Sequence, residues 1–153
     1  MAAPFMSRSV PVRIVIPRIS VHTAVTELSL RSDGTMQVPQ AAFPAGWYRG
    51  SPTPGQQGPS IIVGHVHWNG RLGVFARLHE LRPRDVITIV RADGKSVGFS
   101  VTEVKVYSKI RFPTATVYGN VQDSEVRLIT CGGYDPVART YEANLVVFAR
   151  RVS

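Results

Sequence analysis

VITIVRADGKSVGFSVTEVKVY, residues Val86–Tyr107, holds two β-rich runs separated by Ala92-Asp93-Gly94-Lys95. An Asp-Gly pair between such runs is a strong short-range hairpin signal, because the tight turn needs positive φ at its centre. The stretch therefore predicts two antiparallel strands. Upstream, VPVRIVIPRISV (Val10–Val21) sets Val10, Val12, Ile14 and Ile16 in alternation. Pro17 then marks an edge or a bend, since proline cannot donate to a ladder. His22 to Val25 continue the strand, Ser32-Asp33-Gly34 reads as a turn, and TMQVP after it as a short strand. SIIVGH (Ser60–His65) reads as a buried strand ending at a histidine, and VRLITC and NLVVFAR as two strong strands near the end of the chain.

Between these segments the signals are weaker. Residues 41 to 59, AAFPAGWYRGSPTPGQQGP, read as a long loop tied down by Phe43, Trp47 and Tyr48. In LGVFARLHEL (72–81), Val74, Phe75, Leu78 and Leu81 fall on one face, predicting a short helix. PTATVYG (113–119) reads as a second helical turn. The total is about eight strands with one or two short helices. Without βαβ spacing, that pattern predicts an all-β barrel or sandwich.

Composition sets the outer bounds. The chain has 153 residues, 44% of them hydrophobic, which suits one globular domain and argues against disorder. Residues 1–9 read as a flexible lead-in and 10–153 as the single domain. The longest apolar runs are four or five residues, whereas a membrane helix needs ~20. One cysteine excludes an internal disulfide framework and a Cys-rich zinc site. The net charge is +8, but 15 of the 18 basic residues are arginines scattered from Arg8 to Arg151. Nucleic-acid binders cluster such charge, so no nucleic-acid partner is expected. A solvated basic surface, or attraction to an anionic envelope polymer, accounts for it.

Cys131 follows the apolar run LIT and precedes Gly132-Gly133. A thiol at a strand end beside small residues is open to a substrate, and neighbouring backbone N–H groups can face an oxyanion. A buried structural cysteine is the alternative. His65 has the same placement at the end of SIIVG, and an imidazole can set a thiol's protonation and then protonate a leaving amine. His67, two residues on, would share its side in extended chain. His79 reads as a solvated position and His22 as structural. The His-x-His pair has no clustered carboxylates or second cysteine to make a metal site. Arg139 is the candidate cation, with Arg150 as the fallback. Cysteine, histidine and arginine together form a transpeptidase or protease constellation.

The chain resembles a sortase, most closely the class F sortases of actinobacteria, from about Pro11 to Ala149. VRIVIPRISV with DGTMQVP resembles the opening strands, and AGWYRGSPTPGQQGPSIIVGHV the approach to the family's histidine. GVFARLHELRPRDVITIVRADG resembles the following helix and strand, and LITCGGYD with NLVVFA the nucleophile strand and its neighbour. The resemblance implies an eight-stranded β-barrel cysteine transpeptidase that cuts an LPXTG-like signal between Thr and Gly. It makes Cys131 the nucleophile, His65 the general acid/base and Arg139 the cation for oxyanion and substrate. Thr130 and Gly132 border the oxyanion, Thr130 through its backbone or hydroxyl. Aligned by NLVVFA, however, the family's arginine position falls on Asn144. His67 stands where the group often has an acidic residue.

The same resemblance implies the partners: the sorting signal of a secreted protein and an amine of the cell wall or peptidoglycan. It requires no metal or organic cofactor. It implies work at the outer face of the membrane, with a tether outside this chain. An ordinary thiol near pKa ~8.5 and imidazole near ~6.5 make the thiolate–imidazolium pair a minor form at neutral pH, so a bell-shaped pH profile is expected. Two rivals remain at this level. A cysteine L,D-transpeptidase normally carries an arginine two residues after its cysteine, where this chain has Gly133. A basic, non-catalytic barrel would keep Cys131 buried and slow to alkylate.

Overall fold

In the computed structural model, residues 4–34, 36–108, 119, 121–130, 133–135 and 140–152 are described. Among the described residues there are eleven strands: β1 (Pro11–Ile16), β2 (Val21–Leu28), β3 (Ala45–Tyr48), β4 (Gly58–Gly64), β5 (His67–Trp68), β6 (Arg71–Leu72), β7 (Val86–Arg91), β8 (Ser96–Ser108), β9 (Ser124–Thr130), β10 (Gly133–Asp135) and β11 (Thr140–Arg151). Eight of them close a ring in the order β11-β8-β7-β1-β2-β3-β4-β9, because β9 pairs with β11 as well as with β4. Closure leaves the eight strands of the ring without an open sheet edge. β5 and β6 form a separate two-stranded hairpin, and β10 adds to the first residues of β11. The fold is the all-β, eight-stranded barrel that the resemblance implies, and of the barrel or sandwich left open by the strand count it is the barrel.

The strongest sequence signals are reproduced. β7 and β8 pair antiparallel around the Asp93-Gly94 turn, with Gly94 at φ +83°. Pro17 bends the chain: a 3₁₀ turn over Pro17–Ile19 and Ser20 at φ 56° reverse it, so that β1 and β2 pair antiparallel. Leu30 and Met36 make an isolated bridge in place of the short strand expected after Gly34.

Two expectations change. The long loop over 41 to 59 contains β3, which pairs parallel with β2 and antiparallel with β4. Its Trp47 is fully buried and donates its indole N–H to the Pro52 carbonyl at 3.1 Å. The apolar face of residues 72–81 is real, since Val74, Phe75, Leu78 and Leu81 are all buried. The backbone there is a chain of tight turns ending in a 3₁₀ turn over Leu78–Glu80, with i→i+3 hydrogen bonds from Ala76 to Gly73, Leu78 to Phe75 and Leu81 to Leu78. A short segment wedged into the barrel interior gains its stability from that burial, not from a continuous helix. The second helical turn expected at PTATVYG lies outside the described residues, Gly119 excepted.

Apolar side chains divide by strand alternation. Ile62, Val126, Leu128 and Val147 belong to the interior cluster with Trp47, Phe75 and Phe99. Ile61, Val63, Ile129, Val146 and Phe148 belong to a second cluster on the opposite face of the same strands. Ahead of β1, the chain is held against the barrel: Met6 N–H donates to the Gly55 carbonyl at 2.9 Å, and Arg91 reaches the Ser7 carbonyl at 2.9 Å.

Candidate active site

β4 and β9 run parallel and in register from Gly58↔Ser124 to Gly64↔Thr130. The residue after Gly64 is His65, and the residue after Thr130 is Cys131. Neighbouring strands lie about 4.8 Å apart, so this pairing carries two chain ends side by side out of the barrel wall. β9 is also paired with β11 through Ile129↔Val146, and β10 resumes on the same strand with Gly133↔Ala143. Cys131 and Gly132 fall between these two paired segments in sequence. Both lie outside the described residues, as does Arg139 in the connection from Asp135 to Thr140.

His65 is 5% exposed and follows directly on the last residue of β4. Its Nε2 lies 2.6 Å from the Pro39 carbonyl oxygen. Its ring stacks on Trp68, with centroids 4.6 Å apart and planes inclined by 33°. Its own carbonyl accepts the Phe75 N–H at 3.0 Å. The chain then turns at Val66, whose carbonyl accepts the Gly73 N–H at 2.7 Å. Between those two points, β5 and β6 form a tight hairpin around Asn69 (φ 49°) and Gly70 (φ +77°), the Asn-Gly turn that two positive φ values require. This hairpin brings Trp68 back against His65. The Asn-Gly dipeptide was the sequence signal for it, and Trp68 is the site residue that the motif reading passed over.

The turn at Val66 corrects the expectation for His67. It does not share the side of His65: His65 is buried, whereas His67 is exposed on β5. His79 and His22 are exposed as well. Among the described residues no group of three His, Cys, Asp or Glu side chains could hold a metal ion. Thr130 is buried, and its hydroxyl oxygen accepts the Leu145 N–H at 3.1 Å. That hydroxyl, as acceptor, fastens β9 to β11. Arg150 is opposite Glu125, at the other end of β9 from Thr130, and is ion-paired with Asp123 at 3.3 Å. Five residues of strand span roughly 16 Å, which removes Arg150 as the fallback cation. Asn144 lies opposite Tyr107 on β8 and next to Leu145, whose N–H meets Thr130.

A closed barrel with a histidine at the end of one strand and a lone cysteine just past the end of its parallel neighbour defines a class: β-barrel cysteine transpeptidases. The sequence matches the sortase domain over residues 14–152, and the chain belongs to the sortase family, cysteine transpeptidases that act in anchoring proteins at the extracytoplasmic cell surface. Solved structures share the fold at low sequence identity. A lid mutant of sortase A from Corynebacterium diphtheriae is 23% identical with a TM-score of 0.73, over 97% of this chain and 73% of that one. Sortase C-1 from Actinomyces oris is 24% identical with a TM-score of 0.69, over 94% and 75%. The sortase D5 transpeptidase of Clostridium perfringens is 21% identical with a TM-score of 0.69, over 94% and 79%. A comparison with curated protein sequences found no match. Among the described residues, no helix is long and apolar enough to cross a membrane.

Proposed function

We propose that this sortase cleaves an LPXTG-like signal between Thr and Gly, holds the acyl group as a thioester on Cys131, and passes it to a cell-wall amine. The parallel register that ends at Gly64↔Thr130 carries the reading, because the next residue on each chain is the acid/base and the nucleophile.

The sulfur attacks the Thr carbonyl carbon and His65 gives a proton to the departing Gly amine. Backbone N–H groups around Gly132 and the Arg139 guanidinium stabilise the tetrahedral oxyanion, with Thr130 contributing through its backbone or hydroxyl. An amine, or water, then resolves the thioester. The class F assignment rests on the four sequence segments quoted above, and a membrane tether outside this chain is part of the same reading.

Mass spectrometry of the protein with an LPXTG-type peptide and triglycine tests this. Cleavage between Thr and Gly with transfer to triglycine is expected, abolished in Cys131→Ala and His65→Ala. Rapid alkylation of Cys131 without product would transfer the assignment to another sorting motif. A thiol protected until unfolding would return the chain to the non-catalytic reading.

A further inference from the structure

We propose that Asn69 is a self-modification site: in the folded protein the Gly70 backbone nitrogen closes on the Asn69 side-chain carbonyl carbon, and the isoaspartate that results withdraws Trp68 from His65. The chain has three asparagines, and only Asn69 is followed by glycine. Asn120 and Asn144 precede Val121 and Leu145, whose branched side chains crowd the attacking nitrogen. Glycine has no Cβ to stand in the way. Asn69 and Gly70 are both exposed and form the tip of the β5–β6 hairpin. A Cβ built on Gly70 would meet nothing within 4 Å, so the tip is open to water and hydroxide. Among the described residues the Asn69 side-chain amide has no hydrogen-bond partner to hold it away.

Ring closure requires the chain to leave its tight turn, and this hairpin opens at low cost. It has two residue pairs, His67↔Leu72 and Trp68↔Arg71, and an isolated two-stranded hairpin is marginally stable at best. His67 and Arg71 are exposed and Leu72 is 65% exposed. Opening gives up the stacking of Trp68 on His65 while the eight-stranded ring stays paired.

The chemistry balances with water as the co-reactant. The Gly70 nitrogen loses its proton to hydroxide and bonds to the Asn69 Cγ. The departing side-chain nitrogen takes a proton from water and leaves as ammonia, and a succinimide remains. Water then adds to either carbonyl. Cleavage of the bond from nitrogen to Cγ gives aspartate, and cleavage on the other side gives isoaspartate. The isoaspartate puts an extra methylene into the main chain between β5 and β6, with a carboxylate beside it. A two-residue turn with positive φ at both positions does not accommodate that insertion. The register that returns Trp68 to the His65 ring is lost with it.

Peptide mapping by mass spectrometry tests the modification, on protein incubated at mildly alkaline pH, with enzymatic methylation to tell isoaspartate from aspartate. Conversion at Asn69 is expected, mostly to isoaspartate, while Asn120 and Asn144 stay intact. Its rate should rise with pH, because the attacking nitrogen must lose its proton. Protein held in urea gives the rate of the open chain. Conversion in urea with none in the folded protein would overturn the proposal, as would equal conversion at every asparagine.

The effect on His65 is read in the transfer assay, and this arm alone rests on the proposed function. Converted protein should lose about tenfold in kcat. Freshly made Asn69→Asp has the charge without the extra methylene and should stay near wild type. Asn69→Gly keeps a residue that accepts the turn, and should neither convert nor lose rate with time. An equal loss in Asn69→Asp, or a converted protein of full activity, would overturn the withdrawal of Trp68. A wild type that transfers nothing would sink the proposed function and leave the mapping to decide the modification.

Discussion

Gly73 lies against the backbone of His65 so closely that a Cβ on it would fall 2.0 Å from the His65 carbonyl oxygen. That contact is where the β5–β6 hairpin returns to its root, with the Gly73 N–H on Val66 and the Phe75 N–H on His65. Gly73→Ala must push the two backbones apart. The expected cost is about 1–3 kcal/mol of stability, and about a hundredfold in transfer rate, because a displacement of the order of an ångström at the imidazole spoils a positioned proton transfer. Urea unfolding and the peptide transfer assay measure the two separately. A variant that loses stability but keeps its rate would show that the hairpin root does not set the position of His65.

Thr130 joins the site to the barrel wall through its hydroxyl, which accepts the Leu145 N–H at 3.1 Å. Thr130→Val keeps the shape but removes the acceptor of that part-buried N–H, at a cost of about 1 kcal/mol. Thr130→Ser retains the acceptor and should stay close to wild type in stability. A valine variant as stable as wild type would mean that β11 finds another way to satisfy Leu145.

At the opposite side of the molecule Arg91 is 1% exposed and donates to three partners: the Pro54 carbonyl at 2.8 Å, the Ser7 carbonyl at 2.9 Å and the Asp93 carboxylate at 2.6 Å. It clamps the segment before β1 onto the barrel. Arg91→Met leaves two carbonyls unpaired and should cost about 3 kcal/mol, read from urea midpoints.

Asp93 supplies a pH signature for the same clamp. Hydrogen bonding to Arg91, then to the Lys95 N–H, lowers its carboxyl from 3.8 to about 2. The folded state holds this carboxylate more strongly than the unfolded chain does. Its stabilising effect is therefore complete above pH ~4 and fades as the pH falls towards 2. Asp93→Asn should flatten that part of the stability curve and leave the neutral-pH slope unchanged. Melting temperatures between pH 2 and pH 6 test it, and an unaltered acid limb would contradict the pairing.

Much of this architecture is legible in the residues, and the exceptions have physical causes. The β7–β8 hairpin is announced by Asp93-Gly94 because local turn chemistry alone decides it. β3 is hidden, since only Trp47 and Tyr48 of its four residues favour a strand while Ala45 and Gly46 do not, and the strand exists because β2 and β4 offer it partners on both sides. The helical spacing of Val74, Phe75, Leu78 and Leu81 correctly marks a buried face, but burial spacing does not separate an α-helix from successive 3₁₀ turns. At the site, His65 is legible as a strand end. Its ring contacts are not, because Pro39 is 26 residues away and Trp68 returns only through the Asn69-Gly70 turn.

The arginine of the site is where sequence order and strand register point to different residues. In the antiparallel pairing of β9 with β11, Ile129 meets Val146 and Leu128 meets Val147, and the alignment by NLVVFA puts the family's arginine position on Asn144 of the same strand β11. Arg139 precedes β11 in sequence, in the connection between β10 and β11. If Arg139 supplies the oxyanion charge from there, Arg139→Ala should lower kcat by about a hundredfold with a smaller change in KM. A guanidinium placed at 144 should then recover part of that loss, so Arg139→Ala/Asn144→Arg is expected to exceed Arg139→Ala by about tenfold. Single-turnover acylation, followed by mass spectrometry of the thioester, isolates the step that the charge affects. Full activity in Arg139→Ala would move the role off Arg139. An inert double variant would show that position 144 on β11 cannot deliver a guanidinium to the oxyanion, and the connecting loop would then be the necessary source of the charge.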